Sequence, residues 1–343
     1  MKVGVLGGGQ LARMLALAGV PLGLDFSYYE QSATQSVKNL GPLTVASFTD
    51  FDKLDAFAKN IDVLTFESEN IPKETLEHLL KNHDVRPGLK SLVTAQNRFN
   101  EKTLFDELKV PTVRYHKVSN ADDLAKAANE LGFPFIVKTI SGGYDGKGQY
   151  RVHNADELSQ VPFSQNAVYL AEEWIQFDKE VSCVAVRSQS DELRFYSLCL
   201  NTHQDGILVE TTSLDAPELE KQAYDYTQRI MRALDHVGVL TVEYFIRNDQ
   251  LLANEIAPRV HNTGHWTIDA AECSQFENHL RAICGLPLGD TRQTSPYKMY
   301  NIIGQWPKTH AEYLATPGLH LHDYNKEPRS LRKLGHITVC NRD

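Results

Sequence analysis

Apolar and polar positions follow two rhythms along this chain. In the first hundred residues, short apolar runs at 2–6, 24–30 and 61–66 read as strands, and segments with helical spacing at 10–18 and 51–58 lie between them. Alternation of strand and helix is the pattern of a parallel sheet. A helix at 95–108 and the break Lys109-Val110-Pro111 lead into a smaller α+β segment. From about Ala167 the strands become long and antiparallel in style, with 180–186 followed by 193–199 across a turn at 188–191, and two apolar strands flanking Arg247-Asn248-Asp249-Gln250. One strong helix interrupts them, starting after Asp215-Ala216-Pro217, where proline suits the first turn, and ending near His236. These changes of rhythm divide the chain at 1–100, 101–166 and 167–343.

Composition narrows the function. A chain of 343 residues is long enough for two or three domains. Its net charge of −9 argues against a sequence-independent nucleic-acid binder, which needs a basic face. The five cysteines are scattered without a C-x-x-C pair, which predicts free buried thiols and a reducing compartment. Met1-Lys2 runs directly into a strand, and no apolar run approaches membrane-spanning length. A cytoplasmic protein with no membrane partner is expected.

Three stretches carry candidate chemistry. The first is Ser141-Gly142-Gly143-Tyr144-Asp145-Gly146-Lys147-Gly148-Gln149, three residues after Lys138. Glycines there can turn backbone N–H groups inward as an anion nest, with Lys138 and Lys147 adding positive charge, so a polyphosphate is the natural guest. A surface hairpin turn is the competing reading, and a Walker A string is absent from the sequence. The second stretch, Gly7-Gly8-Gly9-Gln10-Leu11-Ala12, fits G-x-G-x-x-G/A between strand and helix, with Glu30 at the end of the next strand. It offers a helix N-terminus to any phosphate, an NAD dehydrogenase among the possibilities, or serves only to pack helix on strand. The third is the hairpin holding Glu243 and Glu255. Centred on Asp249, it sets the two carboxylates opposite each other, an unfavourable pairing unless a cation such as magnesium lies between. A slipped register with both glutamates in solvent is the alternative.

Taken together, Lys138, the glycine loop 142–149, Glu172-Glu173-Trp174-Ile175 with Glu180, Asn201 to Ile207, and Asn254-Glu255-Ile256-Ala257-Pro258-Arg259 resemble the ATP-grasp superfamily. Gly7 to Leu11, Thr65-Phe66-Glu67-Ser68-Glu69-Asn70 and the late stretch 274–285 are similar to the N5-carboxyaminoimidazole ribonucleotide synthetases within it. The resemblance spans nearly the whole chain. It implies a multidomain α/β and α+β molecule: a Rossmann-like pre-ATP-grasp domain at 1–100, a small ATP-grasp lid at 101–166, and a large ATP-grasp domain with a C-terminal substrate-binding segment at 167–343. One departure is visible. Many ATP-grasp enzymes carry Glu-x-Asn at the metal site, whereas here Asn254 stands just before Glu255.

The resemblance also implies ligands and roles. ATP and magnesium are the expected cofactors, bicarbonate and 5-aminoimidazole ribonucleotide the expected substrates, and a homodimer the expected assembly. Arg98 and Lys138 match positions that hold ATP phosphates, Glu172, Glu173, Trp174 and Ile175 the hinge that reads adenine, and Glu180 the ribose-binding carboxylate. Gly143, Tyr144, Asp145, Gly146, Lys147, Gly148 and Gln149 match a lid over the triphosphate, and His203 a further nucleotide-site position. Glu243 and Glu255 match the magnesium ligands, with Asn254 beside them. Gln10, Leu11, Glu67, Tyr144 and Asp145 match the ribonucleotide site, with Lys326, Arg332 and Lys333 as a phosphate clamp or, in the alternative, a solvated basic tail. Arg259, Lys138 and Glu255 are the candidate catalytic groups. The expected reaction is ATP-dependent carboxylation of aminoimidazole ribonucleotide through carboxyphosphate. A formate-dependent glycinamide ribonucleotide transformylase and the dehydrogenase are the rivals.

Overall fold

The computed structural model describes residues 1–142, 148–162 and 167–340. Its strands form three sheets. The first is parallel, in the order Leu43–Val45, Asp25–Glu30, Lys2–Leu6, Val63–Phe66. Because the chain leaves Lys2–Leu6 toward one side and returns to Val63–Phe66 on the other, the ends of these two strands form a switch point. A crevice opens outside their carboxyl ends, where open α/β sheets bind ligands. Gly7 to Gln10 follow the first strand and Glu67 to Asn70 the second, so topology alone brings the two motifs together.

The second sheet is small and antiparallel, in the order Tyr115–Val118, Tyr169–Glu173, Phe135–Thr139, Gln149–Val152, with helix Ala121–Leu131 packed on it. Asn120 caps that helix by accepting from the Asp123 backbone, and Leu124, Ala127, Ala128 and Leu131 make its buried stripe. The small sheet takes in Tyr169–Glu173 and so runs past the limit of 166 read from the sequence.

The third sheet has nine strands, running from the hairpin Gly238–Arg247/Gln250–Ala257 at one edge to Lys333–Cys340 and Leu319–Asp323 at the other. One hydrophobic core joins it to the parallel domain: Val3, Leu11, Phe26 and Tyr28 share a cluster with Val184, Trp266, Phe276 and Tyr297. The core of the small sheet is separate, drawn from residues between Val118 and Ala171. All five cysteines are free; Cys284 is half-buried and the others buried. No helix among the described residues is long and apolar enough to cross a membrane.

Candidate active site

The three sheets meet at one cleft of ≈ 1420 Å³. Into it come Gln10, Leu11 and Glu67 from the parallel domain, Lys138, Gln149, Glu172 and Trp174 from the small sheet, and Glu180, His203, Glu243, Asn254, Glu255, Arg259 and Lys333 from the large one. Arg98, at the first turn of helix Arg98–Glu107, lies between them and donates from Nη1 to the Thr139 carbonyl at 2.9 Å. Gly143, Tyr144, Asp145, Gly146 and Lys147 lie outside the described residues.

Glu243 and Glu255 do stand opposite each other. The turn at Asn248 and Asp249, both at positive φ, pairs Arg247 with Gln250, and from there regular pairing would set Glu243 across from Asn254. A β-bulge between Glu243 and Tyr244 shifts the register by one, so that Glu255 faces Glu243 and Asn254 is the extra residue. The expected contact is therefore present, but the bulge and not the hairpin centre produces it. Burial, and after it the charge of Glu255, push Glu243 up to about 8. Facing carboxylates repel each other unless a cation lies between them, and their hard oxygens suit magnesium. His261 Nε2 lies 3.6 Å from Glu243, and burial drives its titration well below the ordinary range, so it stays neutral.

Lys138 contacts Glu172, and Glu172 also holds Lys102 at 3.4 Å. Burial alone would raise the Glu172 carboxyl, but the two lysine charges outweigh it and hold it at about 2. Lys102, only 1% exposed, also donates to Thr112 Oγ1 at 3.0 Å and to the Asn254 carbonyl at 3.0 Å. Glu101, buried beside it, accepts from the Ile256 backbone at 2.8 Å. The Glu172 side chain thus belongs to a buried charge network that ties the lysine of the small sheet to the bulged strand. Its neighbour Glu173 turns outward to Arg114 at 3.0 Å. Glu180 pairs with His203; burial opposes protonation of that imidazole, and the Glu180 contact overcomes it and raises its pKa.

At the switch point, the helix N-terminus read as a phosphate nest is filled from within. Glu67 accepts from the backbone N–H of Gly9 and, at 2.8 Å, of Ala12, while Glu30 accepts from Gly8 at 3.1 Å. Gly7, at φ +126°, has no room for a side chain: a Cβ would come within 2.3 Å of Glu67. These carboxylates occupy the N–H groups that a dinucleotide pyrophosphate would need, which removes the dehydrogenase reading. Lys326 reaches Gln10, and burial lowers its pKa to about 8 against the attraction of Glu67. Arg332 donates to the Glu327 carbonyl at 3.2 Å, and the next residue, Lys333, lines the cleft. Arg259 forks onto Glu69, with Nε on Oε2 and Nη2 on Oε1 at 3.0 Å.

Sequence reasoning missed Glu69, Glu101 and Lys102. Glu69 stands inside the motif Thr65 to Asn70 but beyond the end of the strand Val63–Phe66, where period-two alternation no longer applies. Glu101 and Lys102 read as ordinary surface charges of a polar helix.

Comparison with known proteins agrees with this arrangement. Residues 1–96 match the ribonucleotide synthetase preATP-grasp domain, 103–276 the ATP-grasp domain and 298–343 the phosphoribosylaminoimidazole carboxylase C-terminal domain. The N5-carboxyaminoimidazole ribonucleotide synthase of Pseudomonas aeruginosa is 44% identical over 99% of this chain and 94% of its own length. The crystal structure of the corresponding synthetase from Thermus thermophilus superimposes with a TM-score of 0.94 at 43% identity, over 99% of this chain and 93% of that one. The Aspergillus clavatus N5-carboxyaminoimidazole synthase, solved with ADP and 5-aminoimidazole ribonucleotide, gives 0.89 at 30% identity, over 99% and 93%. With one cleft assembled from the three matched regions in chain order, the chain belongs to the N5-carboxyaminoimidazole ribonucleotide synthase family of ATP-grasp enzymes.

Proposed function

We propose that the chain carries out its family's reaction with the residues gathered in this cleft. ATP and bicarbonate give carboxyphosphate and ADP, and the exocyclic amine of 5-aminoimidazole ribonucleotide then takes the carboxyl group, releasing phosphate and forming the carbamate. The observation that carries this reading is the single cleft that gathers a phosphate-handling group, Lys138, Arg98 and the Glu243/Glu255 pair, together with Lys333 and with Gln10, which Lys326 contacts.

A bicarbonate oxygen attacks the γ-phosphorus as the bond to ADP breaks. Lys138 and Arg98 hold the transferring phosphoryl group, and little covalent work falls to the protein. Glu243 and Glu255 would hold magnesium, which would supply charge neutralisation on the phosphates. Arg259 has N–H groups beyond those given to Glu69 and Val260, and these stabilise the bicarbonate-derived oxyanion. Lys326, Arg332 and Lys333 clamp the ribonucleotide phosphate, with Gln10, Leu11 and Glu67 against the ribonucleotide. Trp174 and Ile175 line the adenine pocket, and Glu180 with His203 meets the ribose. The glycine loop excludes water from carboxyphosphate. In this reading 1–100 is the pre-ATP-grasp domain, the lid runs from 101 through the strand Tyr169–Glu173, and the remainder is the large domain. A homodimer in the cytoplasm is the proposed working form.

The test is ADP formation together with labelled carbamate, omitting bicarbonate, magnesium or aminoimidazole ribonucleotide in turn. Carbamate appearing only in the complete mixture is expected. Formyl transfer from formate to glycinamide ribonucleotide, with no labelled carbamate, would overturn the reading.

A further inference from the structure

At the edge of the nine-stranded sheet away from the Glu243/Glu255 hairpin, a second group of metal-ligating side chains converges. His322 on Leu319–Asp323 and His336 on Lys333–Cys340 are directly paired across the two strands. Asp269, from the short helix Thr267–Ala270, reaches them from the side, and one ligand atom from each of the three lies within 4.8 Å of the others. His322 Nε2 sits 2.8 Å from Asp269 Oδ2, and His320 Nδ1 lies 3.6 Å from Oδ1.

Two features of this cluster are costly without a cation. The Asp269 side chain is 7% exposed, and its ion-pair partners are the imidazoles of His320 and His322, neutral groups unless protonated. His336 is fully buried, and its Nε2 has no hydrogen-bond partner among the described residues. Its other nitrogen, Nδ1, is 2.8 Å from the Tyr324 hydroxyl. That is the arrangement of a ligating histidine, whose second nitrogen is fixed by an outer partner while the first is left for the metal.

We propose that Asp269, His322 and His336 form a second divalent-cation site, for a borderline ion of the zinc type and separate from the magnesium pair. Two imidazoles and one carboxylate are a zinc donor set, with a fourth position left to water. The rings of His322 and His336 are stacked, 4.3 Å between centroids and 12° between planes, so their in-plane lone pairs do not yet meet at one point. Loading therefore turns one ring. His322, 23% exposed at its side chain, is the one free to turn, because the terminal torsion of histidine is broad. Bound metal would fix the end of Leu319–Asp323, from which the chain leaves for Lys326.

The test uses the whole protein, stripped with a chelator and returned to buffer with saturating magnesium, titrated with zinc by calorimetry and with cobalt by visible absorption. One equivalent of zinc is expected, with a dissociation constant of about 1 μM or tighter and four-coordinate cobalt bands. Glu255→Gln should keep this site. Loss of a ligand costs more than the 10–100-fold of an outer partner, so His322→Ala and Asp269→Asn should each weaken binding by about 100-fold or more and abolish the cobalt bands. Tyr324→Phe should weaken it by roughly tenfold. Circular dichroism of each variant verifies folding, and His322, partly exposed, is the safer position to change. Zinc binding unchanged in both His322→Ala and Asp269→Asn would put the ion on other groups such as the thiols and overturn the proposal. So would loss confined to Glu255→Gln, or no saturable binding below about 100 μM.

Discussion

Replacing Glu172 with Gln would leave Lys102 and Lys138 sharing a buried site with no carboxylate between them. Removing one partner of a buried ion pair costs about 3–5 kcal/mol, so Glu172→Gln should lower unfolding stability by that order in urea titration as well as slowing turnover. A purely ligand-reading Glu172 would change the KM for ATP and leave the urea midpoint in place. Glu255→Gln is the opposite case. It removes a charge that Glu243 does not welcome, so the fold should persist in chelator while carboxylation falls by at least about 100-fold at saturating magnesium. Near-normal ADP formation by that variant would remove Glu255 from the metal site. Lys326 carries a pH signature. Its pKa is lowered to about 8, so the apo protein loses this positive charge as pH rises through 8. The KM for aminoimidazole ribonucleotide should then climb above pH 8 by up to about tenfold per unit, with the KM for ATP flat. Lys326→Met should already have the raised constant at pH 7 and lose the slope.

At the scale of elements, the parallel strands and their helices were legible because each shows its own period: the segment at 10–18 folds as helix Gln10–Gly19 and the strand at 2–6 as Lys2–Leu6. Two elements differ. The helix read over 95–108 begins three residues later, as Arg98–Glu107, because the Asn97 side chain accepts from the backbone of Phe99 and Asn100 and caps it there; Ala95 instead ends a separate helix, Leu89–Ala95. The strand read over 193–199 stops at Phe195 and resumes at Cys199, both parts pairing with Lys179–Arg187. The candidate site was legible where glycines and paired carboxylates have a spacing. It was illegible at Glu101 and Lys102, which are buried where helix Arg98–Glu107 docks beside Gln250–Ala257 and, for Lys102, against Glu172. Glu67 was placed at the site, but its role in filling the helix N-terminus depends on the approach of two distant strand ends.

For the whole molecule, the distribution of cores sets the order of opening. The parallel domain and the large sheet share one cluster, whereas the small sheet has its own. Hydrogen exchange without ligand should therefore release amides in Phe135–Thr139 and Tyr169–Glu173 before those of Lys2–Leu6 and Tyr297–Ile303, and the last two should open together. Simultaneous exchange of all four strands would mean that the lid is not an independent unit. ATP with magnesium should slow the first pair selectively, since Lys138 and Glu172 lie on those strands.

The extra residue at Asn254 also accounts for the order of letters at the proposed magnesium site. On a regular strand two side chains share a face only at every second position, which is the spacing of Glu-x-Asn. A bulge lets adjacent residues do so, and Asn254 and Glu255 both line the cleft. On the proposed magnesium assignment, the reversed, contiguous pair offers the same donor set in a different spelling, and a pattern search keyed to spacing alone would pass over it.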